Sequence, residues 1–145
     1  MIENSLYMEF LEWEKSIRGE VTHVKTILSQ SLSDQPEELI QHLADAEAWN
    51  ARLGFILSEA NSWLDRLAPV FQPKKEGRLE SDRKIILDSK LASVRLVRDQ
   101  AEVLCNSIKQ RLILGESILS YQKQFKENRP ADRFSKLNVD RDWET

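Results

Sequence analysis

Residues 39–67, LIQHLADAEAWNARLGFILSEANSWLDRL, decide the fold. Leu39, Leu43, Ala46, Asn50, Leu53, Leu57, Ala60, Leu64 and Leu67 follow one another in alternating steps of four and three, the spacing of a heptad seam on a helix. Beside that seam His42, Trp49, Ile56 and Trp63 recur at seven-residue intervals, which widens the apolar surface beyond what a single coiled-coil partner covers. Trp49, Ile56 and Trp63 therefore read either as core for another helix of the chain or as a face that contacts a second chain. Asn50 stands at an inward position of the seam. A polar side chain there lowers stability but fixes register and partner number; in a wider bundle it would instead reach water or a backbone carbonyl.

The flanks of this stretch set its limits. Asp34 is placed to cap free backbone N–H groups, Glu37 follows three residues later, and Pro36 suits a first helical turn. Pro69 and Pro73 oppose continuation, so the spacing predicts a helix over about 35–67. Upstream, Leu6, Phe10, Trp13, Ile17, Val24 and Ile27 keep one face of a helix over about 3–30 apolar, interrupted by Glu20. Downstream, a third helix over about 80–128 runs to Arg129-Pro130. At 1.5 Å per residue the third helix spans about 70 Å and the second about 47 Å. An antiparallel hairpin of the two predicts an overhang, a break near Gly115, or contact with another chain.

The composition of the third helix favours contact with another chain. Leu87, Leu91, Val94, Ala101, Cys105, Ile108, Leu112 and Leu119 form one stripe, while Ile85, Leu96, Val103, Leu114, Ile118, Tyr121 and Phe125 fall roughly opposite. A helix apolar on two sides is expected to have neighbours on both. Charge supports the hairpin, because residues 34–67 carry a net charge of −5 and residues 83–111 carry +4. The fold expected is all-α: three long helices in an antiparallel, coiled-coil-like bundle over residues 1–128, followed by a mobile polar tail over 129–145.

Whole-chain properties narrow the function classes. The chain has 145 residues, 21 Lys and Arg against 24 Asp and Glu, and a single cysteine. A chain of this size buries roughly two-thirds of the surface it exposes when unfolded, without help from a disulfide or metal. Cys105 alone cannot form an internal disulfide. No apolar run approaches a membrane span, and MIENSLYMEF lacks both a basic n-region and an apolar h-region, so a reducing cytoplasm is the expected compartment. The net charge of −3 argues against a general nucleic-acid coat.

Catalytic chemistry finds few candidates among two histidines and one cysteine, with no nucleophile elbow, phosphate-cradling glycine loop or Cys-x-x-Cys pair. Glu20-Val-Thr-His23 matches the Glu-x-x-His spacing of carboxylate-bridged di-iron bundles, but a single copy is half a site, so no metal or cofactor is expected. Cys105 reads as a small hydrophobe on the inner stripe. Gly115 costs a helix interior about 1 kcal/mol relative to alanine, which marks a close helix crossing or a bend. Lys84, Arg95, Arg98 and Lys109 fall within about 60° on the third helix. They read either as partners of Glu47 and Asp65 on the second helix or as a stripe that binds an anion such as a nucleotide or nucleic acid.

The stretch Lys109 to Gln124, KQRLILGESILSYQKQ, together with HLADAEAWNARLGFILSEANSWLD, resembles short helical proteins of phages and prophages that have no assigned activity. The resemblance implies a cytoplasmic, non-enzymatic role and brings no catalytic or binding residue with it. The function expected is that of a homo-oligomeric helical bundle acting on itself and on another protein by contact, as scaffold, adaptor or inhibitor, with no membrane association. The alternative is a nucleic-acid or nucleotide-binding module built on the basic stripe.

Overall fold

The computed structural model describes residues 2–73 and 79–127, with side chains from Ser5 to Lys126. They form three helices, α1 (Ile2–Ser29), α2 (Pro36–Phe71) and α3 (Glu80–Glu127), and among the described residues there is no strand. The fold is all-α. The polar tail, 129–145, lies outside the described residues.

The start of α2 differs in detail from the sequence reading. Gln35, in an extended conformation, is the cap residue and makes no side-chain capping bond, with Pro36 following at the first turn. The expected cap, Asp34, is replaced by Ser33, whose hydroxyl accepts the Gln35 N–H at 3.1 Å and donates to the Glu38 carboxylate at 2.7 Å. The Ser33 hydroxyl thus ties the N–H of the cap residue to the carboxylate of Glu38 in the first turn, without reaching the free N–H groups of the helix itself.

The end of α2 also differs. The helix was expected to stop near Leu67 but continues through Pro69 to Phe71. Pro69 removes the hydrogen bond to the carbonyl four residues back, on Asp65, at a position where both residues are exposed and that carbonyl need not be buried unpaired. Phe71, on the opposite side, is buried against the core and meets Tyr7 edge-on at 5.7 Å. Burial of that ring, typically worth about 1.5–3 kcal/mol, holds the last turn together.

α2 and α3 are antiparallel and pack along their length. Leu67 and Phe71 join Leu91 and Val94 at one end, Leu53 and Ile56 join Ala101, Cys105 and Ile108 in the middle, and Leu43 lies under Gly115 toward the other end. This register centres α3 on α2. About two turns of α3 project past Phe71 and about one past the start of α2, in place of the single long overhang that the helix lengths predict. α3 also passes Gly115 without a break.

α1 is about 42 Å long and lies antiparallel to α2. Phe10 meets Trp63 at 5.9 Å, Trp13 donates its indole N–H to Glu59, and Arg52 holds Glu20 through two hydrogen bonds of 2.8 Å. His23 packs on Trp49 at 5.1 Å between ring centroids. Against α3, α1 reaches from Ser93, bonded to Tyr7 at 3.3 Å, to Arg111, which donates to the Gln30 carbonyl at 2.7 Å. Beyond Arg111, α2 and α3 continue as a pair. The molecule is a three-helix bundle at one end and a two-helix hairpin at the other.

This arrangement shows which of the two α2 stripes is core. Ile56 and Trp63 are buried beside Leu53, Ala60 and Leu67, whereas the seam residues Leu57 and Leu64 are half-exposed. α1 covers the Trp49–Ile56–Trp63 side and α3 covers the seam, so the buried face runs between the two stripes.

Candidate functional site

α3 turns one apolar stripe inward and the other outward. Leu91, Val94, Ala101, Cys105 and Ile108 are buried, while Ile85, Leu96, Val103, Leu114, Tyr121 and Phe125 are each 55–68% exposed. At 100° per residue, Ile85, Leu96, Val103, Leu114 and Tyr121 fall within about 20° of one another, on the side of α3 that faces away from both other helices. Tyr121 and Phe125 stack with ring centroids 6.4 Å apart, one turn from each other on this surface. Scattered exposed leucines are ordinary on a protein surface, whereas large apolar side chains aligned along one face of a helix are a candidate contact surface.

The other residues that the sequence singles out lie elsewhere. Ile56 and Trp63 are core, and Trp49 is half-buried against His23. Asn50 is half-exposed and forms no side-chain hydrogen bond to another described residue. Gly115 is buried where α3 crosses α2. A Cβ there would overlap Leu43 Cδ2 and stand 3.1 Å from its Cγ, so any side chain at 115 would force Leu43 to move.

The two arginines of the basic stripe are paired within their own helix. Arg95 bonds Asp88 at 2.8 Å and Arg98 bonds Asp99 at 2.8 Å. Glu47 and Asp65, the expected partners on α2, take no part, because the α2–α3 contact is made by small and apolar residues that leave the charges at its margins. Among the described residues, Lys84 and Lys109 have no carboxylate within ion-pair distance. The ion pairs between helices, among the described residues, instead join α1 to α2, through Arg52–Glu20 and, more loosely, Arg66–Glu9 at 3.8 Å.

Glu20 is thus engaged by a guanidinium. The hydrogen bond from Arg52 holds its carboxyl below the usual range, more than burial raises it. Among the described residues, no group of three or more His, Cys, Asp or Glu is placed to hold a metal ion. Burial pushes the Cys105 thiol up, away from the thiolate that nucleophilic chemistry requires. No helix among the described residues is long and apolar enough to cross a membrane.

Two polar side chains that sequence reasoning missed fasten the corner where three helices become two. Arg111 donates to the Gln30 carbonyl, just past the end of α1, whose own last turn carries no basic residue. A cation there complements the helix dipole, although burial lowers its pKa. Gln122 donates to the Asp34 carbonyl at 2.6 Å and holds the α1–α2 linker. Between them opens a groove of about 620 Å³ lined by Leu28, Leu32, Leu114 and Ile118 as well as Arg111. These partners lie 81 and 88 residues apart in the chain, a separation that helical periodicity does not report. No protein family, curated protein or solved structure matches this chain.

Proposed function

We propose that the protein is a non-enzymatic, homo-oligomeric helical bundle that acts through protein–protein contacts, as a scaffold, adaptor or inhibitor in the cytoplasm. The observation that carries this reading is the exposed apolar row on α3, six large side chains on a helix in which about a third of the residues are charged. Burying such a row removes apolar surface from water at roughly 25 cal/mol per Å². The phage-type resemblance fits the same role, since it implies no chemistry.

The anion-binding alternative has weaker support, because Arg95 and Arg98 already contact Asp88 and Asp99. Sedimentation equilibrium tests the proposal. A weight-average mass that rises above 16.9 kDa with concentration is expected, with little dependence on salt. A mass fixed at 16.9 kDa, together with oligonucleotide binding that weakens steeply with salt, would replace the proposal with the alternative.

A further inference from the structure

We propose that the occupant of the α3 outer face is a second copy of the chain, with the two α3 helices antiparallel about a two-fold axis level with Cys105. This rests on the homo-oligomeric reading and specifies its interface. From Ile85 to Phe125 the outward positions follow one another in steps of four and three, and none of them is charged. Cores of interfaces between proteins are depleted of charge in the same way.

The order of these residues suits a reversed copy of itself. With the axis at residue 105, Ile85 comes level with Phe125 of the other copy and Leu96 with Leu114, large apolar against large apolar. Elsewhere the bulk is complementary. Ser89 comes level with Tyr121, Ala92 with Ile118, and Ser107 with Val103, so that each larger side chain meets a smaller one. Gln100 comes level with Gln110, where two amides can satisfy each other. A two-fold interface requires this property, since the same patch must fit itself.

Pitch and area agree. The row drifts by only about 40° between residues 85 and 125, so it runs straight along the helix, and a copy of the same helix has the same pitch over its whole length. Six side chains with roughly 100 Å² exposed on each, plus the serine, alanine and glutamine surface between them, offer about 800 Å² per copy, the size of a standard stable interface.

The test compares the full-length protein with Leu96→Glu/Leu114→Glu and, as a control, Phe55→Glu, which alters an exposed apolar residue on α2. We expect the parent and the Phe55 variant to sediment as dimers. The double variant should have a dissociation constant at least 100-fold higher and retain its helical circular dichroism. A double variant that dimerises as tightly as the parent would overturn this interface and leave the homo-oligomeric reading standing, whereas a monomeric parent would overturn both. Orientation is read by oxidation in a Cys105→Ala background. Ile85→Cys and Phe125→Cys chains should form a covalent dimer when mixed and none when each is alone, and any other pattern overturns the antiparallel register.

Discussion

The two ends of this bundle are built from the same pair of helices, yet only one has a third helix against it. At the three-helix end, Phe10, Trp13 and Trp63 interlock with ring centroids about 6 Å apart, Tyr7 links Phe10 to Phe71, and Ile17, Val24, Leu53 and Ile56 close over Leu104, Cys105 and Ile108. At the two-helix end, Leu39, Leu43 and Ala46 are buried outside both of these clusters, and Gly115 brings the helices close enough to exclude water without a third layer. Enclosure on three sides and close approach on one are different ways of keeping a helix pair dry. They respond differently to mutation.

The largest difference is expected from matched truncations, since Leu53 and Leu39 are both fully buried. Leu53→Ala leaves a hole that three helices surround, and should cost about 3–5 kcal/mol in denaturant unfolding. Leu39→Ala lies where the linker and one helix can settle inward, and should cost about 2–3 kcal/mol. Equal losses would show that the hairpin end is as rigidly enclosed as the other.

Glycine substitutions sharpen the contrast. Gly54 is exposed with nothing within 4 Å of a Cβ position, so Gly54→Ala should raise stability by about 0.5–1 kcal/mol through helix propensity and a less flexible unfolded chain. Gly115→Ala gains the same propensity but drives a methyl into Leu43, and the net change should be a loss of about 1–2 kcal/mol. Thermal melts of the two variants therefore shift in opposite directions; a stabilising Gly115→Ala would mean that α3 can lift from α2.

Much of this fold is written in periodicity. The step of four and three from Leu39 to Leu67 requires a long helix, and the paired apolar stripes of α3 require that one of them face inward. Periodicity does not say which side the neighbours occupy. The outward row was visible as a second stripe, but its exposure follows from α1 lying against the other flank of α3. Local signals misled where packing overruled them, as when burial of Phe71 carried the helix through Pro69. The pairing of the basic stripe with Glu47 and Asp65 does not form, because acids on the same helix, Asp88 and Asp99, are easier for Arg95 and Arg98 to reach than acids on α2.

The smallest effect concerns pH at the three-helix end. Arg52 holds the Glu20 carboxyl low by hydrogen bonding, so the folded state favours the charged form. A depressed carboxyl contributes stability above its unfolded value and loses it as pH falls, here from about pH 5 downward. Both partners are about a third exposed, so the contribution should stay within about 1 kcal/mol. Glu20→Gln should flatten that part of the stability profile below pH 5 and leave it unchanged above pH 6. An identical acid profile in the variant would assign the pH dependence to other carboxylates.

Amide hydrogen exchange along α3 at two protein concentrations reads the proposed dimer from its outer face, because an antiparallel pair brings the three-helix end of one copy beside the two-helix end of the other. Amides of residues 112–126 should exchange more slowly as concentration rises and the dimer fills, while residues 91–108, already enclosed by α1 and α2, should change little. Exchange at residues 112–126 that stays the same from dilute to concentrated protein would contradict an antiparallel dimer on this face.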